Sequence, residues 1–150
     1  MLKVHFASLS LGASVDQQTG NMSVFELVEE VRTPQLPIQI QQLVISLSLE
    51  KSEPRAFDGR MLIHFLTPDG KQQMIGNGEM QVPADQKRMR AVFRYPAFPV
   101  MAYGNHRFVL SWIDQANQKV AESILDFEVI QVQQPTQEVA PGANPNSMQH

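Results

Sequence analysis

The sequence predicts an all-β fold, a two-sheet antiparallel β-sandwich of about eight strands, immunoglobulin-like or C2-like. Three observations carry this expectation. Short apolar runs alternate with a period near two, the side-chain period of a strand. Clusters of Gly, Asn, Asp and Pro separate the runs at regular spacing, where chain reversals need them. None of the 150 residues forms a convincing helical segment, and a chain of this length removes roughly two thirds of its unfolded surface from water, enough for a core shared by two sheets.

The elements follow in order. "LKVHFASLSL" alternates as a first strand, and "DQQTGN" (16–21) places Gly20 and Asn21 where a hairpin reverses. The return strand is 22–31, and Pro34 and Pro37 bracket an extended link. In "IQIQQLVISLSLE" (38–50) the apolar set begins on Ile38 and Ile40 and resumes on Leu43, Ile45, Leu47 and Leu49. One extra residue at Gln41 and Gln42 would return that set to the core, so a β-bulge is expected there. Residues 60–82 give a hairpin around Pro68, Asp69 and Gly70, its second strand weakened by "GNG" at 76–78. "KRMRAVFRY" (87–95) sets Met89, Ala91, Phe93 and Tyr95 against Arg88, Arg90, Val92 and Arg94. "HRFVLSWID" (106–114) and "VAESILDFEVIQV" (120–132) form a last hairpin, with Phe108, Leu110, Trp112, Leu125, Phe127 and Val129 inward.

One stretch reads two ways. In "TGNMSVFELVEEVRTPQLP" (19–37), Val24, Leu27, Val28 and Val31 fall at helical spacing, and Ser23 with Glu26 has the spacing of a capping box. As a strand, Phe25, Leu27 and Val31 share one face and Val24 and Val28 the other. A lone two-turn helix here would leave the first strand without its neighbour, so the strand is expected.

Residues 1–132 are expected to form one sandwich domain, and 133–150, with three prolines and little to bury, a disordered tail. The absence of cysteine rules out disulfide and thiolate chemistry. A net charge of -3 provides no overall attraction to nucleic acid or anionic membrane. The apolar start is broken by His5, Ser8 and Ser10, unlike a signal peptide, and no window has the length of a membrane helix. A cytoplasmic location is the expectation.

The runs "DQQTGNMSVFELVEEV" and "TPQLPIQIQQLVISLSLE", with "FPVMAYGNHRFVLSWID" and "LDFEVIQV" later, resemble a family of small uncharacterised bacterial proteins over residues 2–132. Gly104-Asn105-His106, between Tyr103 and Phe108, departs slightly from the pattern. The resemblance implies the strand reading and carries no activity or catalytic residue. Tyr103 also resembles the tyrosine corner of immunoglobulin-like sandwiches, in which the phenol bonds backbone a few residues upstream.

Few residues offer chemistry. Glu29 and Glu30 form the sole acidic doublet. On a strand, neighbours point to opposite faces, and Glu26 would stand ~13 Å from Glu30, too far for paired carboxylate catalysis. His5, His64 and His106 lie on or beside separate strands, with no HxH or HxxxH spacing. No G-x-S-x-G elbow surrounds any serine, and neither "GNG" nor "YGN" has the context of a phosphate loop. No catalytic residue, metal ligand or cofactor is predicted. The candidate interaction surface is Arg88, Arg90 and Arg94, which on a strand share one face. Without aromatics to stack bases they are expected to be exposed and to guard a sheet edge or simply aid solubility, not to bind nucleic acid.

The function expected is therefore a non-enzymatic binding or assembly module that meets a protein, itself or another, through a sheet face or edge, without nucleic acid or membrane. The alternative is an enzyme or small-ligand receptor whose site is built from loops 51–59 and 96–105.

Overall fold

The computed structural model describes residues 1–134. Among these residues nine strands make two sheets: β1 (Leu2–Val15), β2 (Met22–Leu27), β3 (Glu30–Thr33), β4 (Ile38–Lys51), β5 (Phe57–Leu66), β6 (Gln72–Val82), β7 (Arg88–Val100), β8 (Gly104–Asp114) and β9 (Lys119–Gln131). One sheet runs β2-β1-β4-β7 and the other β3-β9-β8-β5-β6. Of the expected tail, residues from 135 on lie outside the described residues.

The expected return strand 22–31 is two strands, one in each sheet. Glu26 adopts a left-handed φ of 56°, and the chain then passes from the first sheet to the second through Val28 and Glu29. That crossing buries Val28, whose amide donates to the Leu9 carbonyl at 2.9 Å. The apparent helical spacing of Val24, Leu27, Val28 and Val31 is thus a strand alternation reset at a change of sheet. The same crossing breaks the expected all-antiparallel pairing. The second sheet is mixed, because β3 pairs parallel to β9, Val31 opposite Val129.

The bulge expected at Gln41 and Gln42 is not there. The β4–β7 register is the same on both sides of this point, Ile40 opposite Phe98 and Gln42 opposite Pro96. Both strands change face together instead, with Ala97 at a φ of 53°, so that Ile40, Leu43 and Phe98 all join the core. A slip shared by two paired strands needs no extra residue. Bulges occur elsewhere: His5 in β1 is the residue skipped between the pairs Val4–Leu49 and Phe6–Ser48, and it returns Ala7 and Leu9 to the inner face after Leu2 and Val4.

The core lies between the sheets on Leu43, Ile45, Leu47 and Leu49 of β4 and Phe108, Leu110 and Trp112 of β8, with Phe127 and Ile63. Trp112 and Phe127 are fully buried as expected, and Phe93 packs against the core from a partly exposed position. His106 is buried in a stack between Phe65 and Phe127, at ring centroids of 5.7 and 5.0 Å. Its Nδ1 lies 3.1 Å from the Gly104 carbonyl, an acceptor only, so Nδ1 carries the proton. Burial pushes the His106 pKa down, against the smaller raising effect of that bond.

Candidate functional site

The two sides of the sandwich differ. On one, the β2–β3 segment stitches the sheets together. On the other, among the described residues, β6 and β7 each pair with one neighbour and leave a free edge. The reason for the opening lies in β6. Its positions opposite Ile63, Met61, Gly59 and Phe57 are Gly76, Gly78, Met80 and Val82, and directly opposed residues share a face. Met80 and Val82 are buried, but the two glycines place no side chain on the inner face. A Cβ on Gly76 would meet Ile63 at 3.1 Å, while one on Gly78 would meet nothing within 4 Å.

Facing this bare strip, Met89, Ala91, Phe93 and Tyr95 of β7 lack a full packing partner, which is why Phe93 and its neighbours are only partly buried. The result is an open groove of about 540 Å³, with Met61, Ile63, Ile75 and Met80 on one wall and the β7 row on the other. Ile75 enters the groove through a bulge, for Ile63 pairs with Gly76 and His64 with Met74. Asn77, Glu79, Gln81 and Arg94 stand among the lining groups as its polar members. Burial pushes the Tyr95 phenol up from its ordinary pKa.

Arg88, Arg90 and Arg94 do alternate outward along β7 and are exposed, but each is tied down. Arg88 Nη2 lies 3.6 Å from Glu50 Oε2, a carboxylate also approached by Lys87 at 3.4 Å. The Lys87 bond, with the nearby positive charges of Lys87 and Arg88, holds the Glu50 carboxyl below its usual range. Arg90 Nη1 donates to the Gly20 carbonyl, and Arg94 Nη2 donates to the Ala13 carbonyl at 2.8 Å. Both acceptors belong to the β1–β2 hairpin, which folds back over the outer face of its own sheet. That cover explains why Val44 and Ser46 are fully buried although they alternate with the core-facing Leu43, Ile45 and Leu47. Strand alternation foretold the arginine row; it contained no signal for the hairpin lying across it.

The other candidates do not converge. Glu26 and Glu30 stand in different sheets, and Glu30 pairs with Arg32 at 3.1 Å. His5, His64 and His106 lie on β1, β5 and β8, and among the described residues no three His, Asp or Glu side chains are grouped to hold a metal. The two expected loops are shorter than expected. β7 continues through Pro96 and Pro99 to Val100, as an edge strand permits. β5 begins at Phe57, and the bend before it is clamped by the buried Lys51, whose ammonium donates to the carbonyls of Arg55 (2.9 Å) and Pro83. Tyr103 is not a tyrosine corner, because its phenol reaches the distant Thr33 carbonyl on β3 at 3.4 Å.

Fold and site together define a two-sheet, all-β domain, closed along one side and open to an apolar groove along the other. The chain belongs to a family of unknown function, DUF6941, whose model matches residues 6–120. A comparison with curated proteins finds no match. Among solved structures, the chain is similar to the Pseudomonas fluorescens alkylpurine DNA glycosylase AlkC bound to DNA containing an abasic site analog, at TM-score 0.51 and 9% identity over 86% of this chain and 30% of that one. It is more weakly similar to a β-glucosidase from Listeria innocua in complex with glucose (TM-score 0.48, 9% identity, 86% of this chain, 17% of that one). A β-glucosidase involved in saponin metabolism from intestinal bacteria gives TM-score 0.49 at 10% identity, over 87% of this chain and 16% of that one. The chain thus spans less than a third of each of these proteins. At such identity the likeness to the glycosylase shows the fold alone.

Proposed function

We propose that this chain is a non-enzymatic binding module that engages another protein through the open side of the sandwich. The observation that carries the reading is the bare strip at Gly76 and Gly78 between two unpaired strand edges. A free edge provides backbone donors and acceptors, and a groove beside it takes alternate side chains, which is the chemistry of strand addition. The methionines at 61, 80 and 89 add side chains that adapt to apolar groups of differing shape.

A photo-crosslinking phenylalanine analogue in place of Phe93, in the full chain in its native host, tests this. The expected result is a specific crosslink to a protein, lost when Gly78→Trp fills the groove and retained when a solvent-facing control such as Gln118→Trp is made. A second reading has one observation in its favour. The groove volume of about 540 Å³ falls in the range of small-ligand sites. A small apolar molecule recovered with the purified chain, together with no protein crosslink at Phe93, would put that reading first.

The strand order also supports an immunoglobulin-like assignment for the sandwich. With β1 set aside, β2, β4 and β7 follow the order A-B-E, and β9, β8, β5 and β6 the order G-F-C-C′. In solution, backbone contacts between Val31 and Val129 in parallel register are the expected signature, and an antiparallel register there would rule the assignment out.

A further inference from the structure

Resting on the reading of the open side as a protein-binding groove, we propose that its occupant is strand β2 of a second copy of this chain, so that copies join head to tail. Two sets of observations meet here. Strand β2 has one free edge and displays large apolar side chains to solvent, Phe25 at 54% and Leu27 at 62% exposure. At the opposite end of the same sheet, β7 has the other free edge and the half-empty row Phe93 and Tyr95. Pairing β2 of one copy on β7 of the next makes the two sheets continuous and gives Phe25 and Leu27 a groove to fill.

Charge specifies the partner. Strand β2 carries Glu26, with Glu29 two residues past its end, and has no Lys or Arg, whereas 87–95 carry Lys87, Arg88, Arg90 and Arg94 and no Asp or Glu; Glu30, on β3, pairs with Arg32 and takes no part. Among the described residues Arg90 and Arg94 bond neutral carbonyls and pair with no carboxylate. The acidic edge of one copy therefore complements the basic edge of another, while two basic or two acidic edges repel. Because the surfaces differ, the contact is heterologous and propagates unless its rotation closes a ring. The arginines then attract the correct strand as well as refuse others.

Sedimentation of the full chain between about 1 µM and about 1 mM, the span in which contacts of modest area are measured, tests the proposal. The mass is expected to rise with concentration beyond a dimer, and less so at high salt. R90E/R94E and E26R/E29R are each expected to sediment as monomers, and an equimolar mixture of the two to associate again. That rescue excludes misfolding as the cause of the loss. A chain that stays monomeric throughout, a mass unchanged in R90E/R94E, or stronger self-association in that variant would overturn head-to-tail docking, the last showing the arginines to be edge guards alone. If the chain is monomeric while Phe93 crosslinks a different protein, self-docking fails and the binding reading stands. If it is monomeric and Phe93 crosslinks nothing, both fall.

Discussion

Phe93 and Phe127 are the same residue type in two environments, and comparing their truncations reports whether the groove is open in solution. Phe127 is 1% exposed and packs on His106 and Phe108. Burying ~150 Å² of ring at about 25 cal/mol per Å² contributes about 4 kcal/mol, and Phe→Ala in a closed core costs roughly 3 to 5 kcal/mol once the cavity is counted. Phe93 is half-buried, and its removal enlarges a groove already open to solvent. Partial burial forfeits only part of the transfer free energy, and with no sealed void the cost is about 2 to 3 kcal/mol. Urea unfolding of Phe127→Ala and Phe93→Ala at matched m-values reads the difference, expected to be about 1 kcal/mol or more. The experiment is run at about 1 µM, where weak self-association does not contribute. Equal costs would refute the reasoning, because they would mean that Phe93 is packed as tightly as a core residue and that the groove is filled.

Two further outcomes follow from single positions. A Cβ on Gly59 would sit 2.1 Å from the Ile113 carbonyl oxygen, so Gly59→Ala must part β5 from β8 and is expected to cost about 3 kcal/mol, whereas Gly78→Ala, facing open space, should change stability by no more than about 0.5 kcal/mol in thermal or urea unfolding. For His106 the folded pKa lies below the unfolded value, so the unfolded chain takes up the proton first; stability is full above the unfolded value of 6.5 and falls as the pH drops below it, levelling at the folded pKa. His106→Phe keeps the aromatic stack and should flatten the stability profile between pH 7 and 5, since the carboxyls of Asp16, Glu50 and Asp69 are lowered from ordinary values of 3.8, 4.5 and 3.8 and act mostly below that window. An unchanged slope in the variant would assign the pH dependence elsewhere.

Much of the fold was legible because strand alternation is a local property. The runs on Phe108, Leu110 and Trp112, and on Leu43 to Leu49, announced their faces directly. What escaped was set by partners distant in sequence. Whether 22–31 is one strand or two depends on β9, a hundred or so positions downstream, and the shared slip at Gln41 and Ala97 needs both strands in view. The groove escaped for the same reason. "GNG" reads as a weak strand, and only its register opposite Ile63 and Met61 shows that both glycines fall on the inner face. The arginine row was foreseen, but its ties to Gly20 and Ala13 depend on a hairpin that folds across the sheet.

The last described strand, β9, is not an edge of its sheet but lies between β3 and β8. On the ribosome this order has a price in time. Until residues 119–131 emerge, β3 has no ladder to join, and Phe108 lacks the Phe127 ring it stacks against at 6.2 Å. A nascent chain halted before Lys119 would therefore hold two unsatisfied strand edges beside an uncovered core, the kind of species that chaperones engage. Arrival of β9 fills the slot, covers the aromatic stack and joins the sheets in one step, so completion of this domain is expected to be abrupt rather than gradual.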